Sequence, residues 1–148
     1  MSVSYDIFAS MFLDKVEEYK FIQLPEENRT QIIDGYMKRA CAQFKKICKY
    51  DITTGDDDNR TFSIDIPSEE IDEIADIISE GMLVQWMKPY IYKQENLENM
   101  LNTTDYNGYS PAELLHRITE AYKMCKRDFS NMMKDYSYNH GDLSDLHL

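Results

Sequence analysis

The chain has 148 residues, a formal net charge of −11, 43% hydrophobic residues, 11 Tyr and 9 Met. That length holds one domain with a modest core, and that apolar content excludes general disorder. So acidic a chain lacks the basic surface that binding to a nucleic-acid backbone demands. It has no run of about 18 apolar residues to span a membrane, and Asp6 close to the start, with no basic stretch, argues against a signal peptide. Cys41, Cys48 and Cys125 form an odd set, each within a predicted helix, as expected of reduced core thiols in a protein made in the cytoplasm. Charge is uneven: residues 1–60 carry 9 basic and 11 acidic side chains, residues 61–148 carry 7 and 16.

Ser4 to Tyr19 reads as the first helix, with Ser4 as its cap and Ile7, Phe8, Met11, Phe12 and Val16 facing inward. After the apolar connector Phe21, Ile22 and Leu24, Pro25 opens a second helix, with Glu26 and Glu27 in its first turn where the helix dipole favours acids. Its apolar pattern runs from Ile32 to Cys48. Gly35 weakens it by roughly 1 kcal/mol relative to Ala, a loss that a close helix contact would explain. The end of this helix is basic: Lys38, Arg39, Lys45, Lys46 and Lys49 occur with no acid from 37 to 49.

Residues 50–67 break the helical pattern. Thr53 to Asn59 are turn formers, and Thr61 to Ile66 alternate, which predicts a small hairpin or extended edge. The cluster Asp56, Asp57 and Asp58 lacks the spacing of an EF-hand and reads as a solvated acidic loop. Such a long connection hints at a use.

Ser68 to Met87 is the third helix, capped by Ser68 after Pro67. Its opening is strongly acidic, with Glu69, Glu70, Asp72, Glu73, Asp76 and Glu80. The basic end of the second helix, Lys45 and Lys46, is an expected counterpart for Glu69, Glu70 and Glu73, within one chain or between neighbouring subunits. Gly81 implies close packing, and Pro89 ends or kinks the helix. Tyr90 to Lys93 continue it briefly, Glu95 to Leu101 form a short helix, and Asn102 to Tyr109 are turn-like.

Ser110, Pro111 and Glu113 make a strong start for the fourth and longest helix, and Leu114, Leu115, Ile118, Ala121, Tyr122, Cys125, Phe129, Met132, Met133 and Tyr136 recur at helical spacing. A helix this long needs several partners along its length. Residues 137–148 lose the periodicity and read as a tail that frays or docks on a partner, with Leu143, Leu146 and Leu148 as apolar residues. The expected fold is all-α: a four-helix bundle-like domain over 1–136 with a long C-terminal helix, a small irregular or hairpin insertion, and an extended C-terminal tail.

No motif points to catalysis, a cofactor or a metal. His116, His140 and His147 are scattered, no Cys-x-x-Cys or His-Glu-x-x-His spacing exists, and no phosphate-gripping glycine loop or nucleophile elbow is present. Asp105 and His116 stay open as participants in some chemistry, since catalytic groups can converge from distant segments, but with no motif found the chain is not expected to be an enzyme. The tyrosines instead suit protein interfaces, above all Tyr106, Tyr109, Tyr136 and Tyr138 around the last helix.

The stretch from Ile78 to Tyr90 (Ile-Ser-Glu-Gly-Met-Leu-Val-Gln-Trp-Met-Lys-Pro-Tyr) and the ending from Tyr136 to Leu143 resemble stretches of proteins encoded near phage neck genes. With the order of helices, loop, long last helix and trailing segment, the chain resembles the head–tail connector (adaptor or head-completion) proteins of long-tailed bacteriophages. The resemblance implies a structural protein of the virion neck, made in the host cytoplasm. Many copies, commonly a dodecameric ring, sit between the portal protein and an adjacent neck or tail-completion protein, and packaged DNA passes through without sequence-specific binding. It implies no membrane partner. The long helix and the tail, with Tyr136, Tyr138, Leu143, Leu146 and Leu148, would face the portal. The loop with Asp56, Asp57 and Asp58 would face the channel or a neighbouring subunit. Lys45 and Lys46 against Glu69, Glu70 and Glu73 would suit head-to-tail contacts that close the ring. A tail-completion or tail-assembly protein of the same particle, or a small helical regulatory binding protein, are the alternatives.

Overall fold

Helix α1 (Tyr5–Val16) starts where expected. Ser4 accepts a hydrogen bond from the Asp6 N–H at 3.2 Å, and a 3-10 turn, Glu17–Tyr19, follows the last helical turn. The computed structural model describes residues 3–19, 22, 24, 26–92 and 111–140, and the statements below concern these. The expected short helix Glu95 to Leu101, the cap Ser110, Asp105, Tyr106 and Tyr109, and the tail leucines Leu143, Leu146 and Leu148 lie outside them.

Helix α2 (Arg29–Phe44) is shorter than the expected span at both ends. It begins after Asn28, which takes the left-handed conformation (φ 55°) that asparagine tolerates better than most residues. Beyond Phe44 the chain turns, with the Ile47 and Cys48 N–H groups both donating to the Phe44 carbonyl at 3.1 and 3.0 Å. Ile47 and Cys48 therefore belong to the turn and do not extend the helix.

The expected hairpin forms. Strands β1 (Gly55–Asp56) and β2 (Thr61–Phe62) pair antiparallel, Gly55 opposite Phe62 and Asp56 opposite Thr61. The start of the chain lies along β2. The Phe62 N–H donates to the Val3 carbonyl at 2.8 Å, the Tyr5 N–H donates to the Arg60 carbonyl at 2.9 Å, and Ser4 bridges Thr61. Phe62 is buried edge-on against Tyr5 and Phe8, with ring centroids 4.8 and 5.2 Å away.

Helix α3 (Ser68–Tyr92) does not stop at Met87. It runs through Pro89 for another turn. An interior proline removes one backbone hydrogen bond, yet tertiary packing holds the helix there. From Gly81 to Met87 every residue is buried, so α3 has no solvent face over two turns. A helix enclosed on all sides belongs at the centre of a fold, and α1, α2 and the last helix, α4 (Pro111–His140), all pack on it. α1 and α2 touch each other only lightly, and α4 lies mainly on α3. The all-α architecture is thus three helices arranged around a fourth. The hub is α3, where the sequence pattern points to the long last helix as the organiser.

Helix α4 has 30 residues, about 45 Å at ~1.5 Å per residue. It buries Leu114, Ile118, Ala121, Tyr122, Cys125, Phe129 and Tyr136. It also absorbs Ser137 to His140, the first four residues of the expected tail. The added turn is held because the His140 ring stacks on Tyr136 at 4.5 Å and faces the Glu73 carboxylate at 3.0 Å. Glu73 meets His140 while Gly81 meets Phe129, so α3 and α4 run in opposite directions.

The two interior glycines behave differently. A Cβ on Gly81 would fall 2.7 Å from the Phe129 ring and 2.8 Å from the Ala40 Cβ, so Gly81 is where α2 and α4 both close on α3. Around Gly35 nothing lies within 4 Å of such a Cβ, so no close contact explains that residue. Gly81→Ala should destabilise the fold by on the order of 1–3 kcal/mol through overpacking. Gly35→Ala should stabilise it by about 0.5–1 kcal/mol by restricting the unfolded chain. Urea denaturation of the two variants checks both signs.

Candidate functional site

The hairpin is fixed by charge as well as by its strands. Arg60 follows the acidic turn in a left-handed conformation (φ 53°). Its guanidinium forks onto Asp34 of α2, Nε to Oδ2 at 2.7 Å and a terminal nitrogen to Oδ1 at 2.8 Å, and also reaches Asp6 of α1 at 2.5 Å. Paired contacts of this kind are the stronger class of charged hydrogen bond. The three aspartates of the turn have separate fates. Asp56 accepts from the Asn59 side chain at 2.6 Å and from the Asp58 N–H at 3.0 Å, which holds its carboxyl below the usual range. Asp57 pairs with Lys38 at 2.9 Å and accepts from the Tyr5 hydroxyl at 3.1 Å, and these contacts also lower its carboxyl. Asp58 is exposed. The loop expected to carry three solvated acids thus uses two of them to build itself.

The acidic opening of α3 is answered within the chain, by partners other than the expected ones. Lys15 of α1 lies 2.8 Å from both Asp76 and Glu80. Glu70 accepts from the Tyr50 hydroxyl and has Lys49 at 3.9 Å. His140 sits 3.0 Å from Glu73 and 3.9 Å from Glu70. Glu69 stays exposed. Lys45 and Lys46 are exposed and make no ion pair among the described residues. The charge match expected between Lys45, Lys46 and Glu69, Glu70, Glu73 is therefore not made inside one chain.

Tyr136, expected at an interface, is only 1% exposed. Its hydroxyl accepts from the Lys49 N–H at 3.1 Å, and its ring meets Phe44 edge-on at 4.9 Å. It tethers the end of α4 to the turn after α2. Tyr138, two residues on, is 69% exposed and available to a partner. Met124 is also exposed on α4, and so is Leu115, which the periodicity puts on the apolar stripe but which lies at its edge, away from α3. An open groove of about 950 Å³ lies between the 3-10 turn and α4, lined by Tyr19, His116, Arg117, Glu120, Met124 and Arg127. A half-enclosed cavity of about 340 Å³ lies between α2 and the hairpin.

The thiols are structural. Burial pushes Cys41 up to about 12 and Cys125 up to about 11, and raises Cys48 as well. A thiol with a raised pKa is a poor nucleophile at neutral pH. Among the described residues no cluster of His, Cys, Asp and Glu could hold a metal ion, and no helix is long and apolar enough to cross a membrane. Comparison with known proteins gives no matching family model, no similar curated protein and no similar solved structure.

What the sequence did not reveal is the set of residues that fix these surfaces: Lys15, Asp34, Arg60 and Tyr5. One signal was present for Arg60, a lone cation directly after a run of acids. Two of the buried phenols carry a test. Burial above all pushes Tyr5 and Tyr136 up to about 12, against about 10 for a free phenol. The folded chain then holds these protons more tightly than the unfolded chain, so their contribution is complete below pH 10 and is lost as pH rises through 12. The raised thiols act in the same sense from about pH 9, so stability should be flat from neutrality to about pH 8 and then fall, the phenols adding roughly 1 kcal/mol or more per pH unit beyond pH 10. Denaturant titrations across that range check it, and Tyr136→Phe should shift the fall.

Proposed function

We propose that the chain is a structural subunit of the neck of a long-tailed phage particle. Many copies form a ring between the portal protein and the next neck or tail-completion protein, and together they extend the DNA channel. The reading grows from the resemblance of the Ile78–Tyr90 and Tyr136–Leu143 stretches. The observation that carries it in the structure is the outer side of α4. This helix of 30 residues is anchored along one face to α3. Away from that face it exposes Met124 and Tyr138, with Arg117, Lys123 and Arg127 on the same side, while Leu115 is exposed on the opposite flank of the helix. Apolar and aromatic residues set among arginines are the composition of protein-binding surfaces. A helix of this length offers an extended surface for docking against a partner.

The same reading gives the unpaired cations a use. Among the described residues Lys45 and Lys46 make no ion pair, and Glu69 stays exposed. Subunits joined head to tail present two different patches to each other, and opposite charge sets their register. Near DNA, an acidic chain repels phosphate and lets the duplex slide past.

Mixing the purified chain with the portal protein of the same particle and imaging the product tests the proposal. The expected result is a closed ring on the portal with the outer face of α4 at a protein contact. A chain that stays off the portal, or a ring in which Leu115, Met124 and Tyr138 face open solvent, would overturn it.

A further inference from the structure

The cavity between α2 and the hairpin has an apolar floor and a basic rim. Cys41, Ile52 and Phe62 form the floor, each no more than 3% exposed. Lys38, Lys45, Thr53 and the single acid Asp57 stand at the rim. Lys38 is held by Asp57, whereas Lys45 has no ion pair among the described residues. Lys46 and Lys49 continue the basic ridge along the exit from α2. The cavity, at about 340 Å³, is at the small end of the range for ligand sites, roughly 300–1,000 Å³. It asks for one apolar side chain with a carboxylate beside it.

The chain itself contains such a segment. Asp142-Leu143-Ser144-Asp145-Leu146 places an acid directly before a leucine twice in five residues. The acids at the start of α3 are a poorer choice: Glu70, Glu73, Asp76 and Glu80 are already engaged by Lys49, His140 and Lys15, and the exposed Glu69 and Asp72 have beside them only Ile71 and Ile74, which pack on the core. The segment also starts in a suitable place. α4 ends at His140, stacked on the Tyr136 whose hydroxyl receives the Lys49 N–H, so the chain leaves α4 at the C-terminal end of α2. Eight further residues span up to about 26 Å when extended, at roughly 3.3 Å each.

We propose that this α2–hairpin cavity seats the Asp-Leu segment 142–146 of a neighbouring copy, with a leucine on the apolar floor and an aspartate on Lys45. A projecting arm and a receiving pocket are two different surfaces on one chain, as a heterologous, ring-closing contact requires. The inference rests on the ring reading, which supplies the neighbour, and it gives the tail a sister subunit as partner in place of the portal.

The test uses the full-length chain, isotope-labelled, and a synthetic peptide with the sequence of residues 141–148. Titration followed by NMR should give saturable shifts at the amides of Lys38, Cys41, Lys45 and Thr53. Lys45→Glu in the chain should weaken binding by about tenfold or more, the scale of losing one charged contact. A peptide carrying Asp142→Lys and Asp145→Lys should fail on the native chain and bind the Lys45→Glu chain better than the native peptide does. Replacing both Leu143 and Leu146 by Ala in the peptide should abolish the shifts. Shifts away from the cavity, or none at millimolar peptide, would overturn the proposal. So would tail substitutions in the dilute chain that move the cavity signals without any second molecule, since the occupant would then be the chain's own tail. A ring that still forms on the portal with Lys45→Glu would refute this contact and leave the ring reading intact. Peptide binding by a chain that never assembles on the portal would do the reverse.

Discussion

The fold depends on the absence of one side chain. At Gly81, Ala40 of α2 and the Phe129 ring of α4 approach α3 so closely that a single added carbon would overlap both. Two helices can reach the same turn of α3 only because that turn is bare. With the three backbones drawn together, the large residues one turn away, Met82, Leu83, Trp86 and Met87, are enclosed almost completely. Interiors packed to this density respond to small changes in volume. The core is therefore a junction of three helices on one central helix, and the hairpin and the helix ends are attached around it.

Charge completes the attachment and leaves specific groups over. Arg60 ties the hairpin to α1 and α2 through Asp6 and Asp34. Lys15 ties α1 to α3, and His140 ties the end of α4 to the start of α3. These pairs are only partly exposed, and solvent screening keeps the contribution of each modest. Their greater effect is to settle which charges remain for other molecules. The acids of α3 and two of the three hairpin aspartates are largely matched inside the chain, while Lys45 and Lys46 are exposed and make no ion pair among the described residues. A strongly acidic protein thus presents a local basic surface at the end of α2, and α4 adds exposed Met124 and Tyr138. These surfaces are the basis for assigning it a role in assembly.

Much of this was legible in the sequence. The cap at Ser4, the turn-rich segment before Thr61, and the apolar periods of all four helices come directly from residue type and spacing. Close packing at Gly81 could also be anticipated from a glycine inside a strong helical pattern. Three features could not. The run from Met82 to Met87 is apolar nearly all round, the mark of a central helix, but the amphipathic length of α4 gave the stronger signal. Pro89 reads as a helix stop, and only its neighbours in space show that packing carries the helix past it. Tyr136 has the composition of an interface residue, and its burial depends on Phe44 and Lys49, some ninety residues earlier, meeting it in three dimensions. The cavity beside Lys45 was likewise hidden, because its walls come from three separate segments.

Hydrogen exchange measured residue by residue tests the central claim, that α3 is the element on which the others are assembled. Amides protected only against global unfolding mark the most stable unit of a fold. The slowest amides should fall between Ile77 and Met87 of α3, with the outer turns of α1, α2 and α4 opening first. If α4 kept the slowest amides while those of α3 around Gly81 exchanged through a lower-energy opening, the long helix would be the organiser and this account would be contradicted.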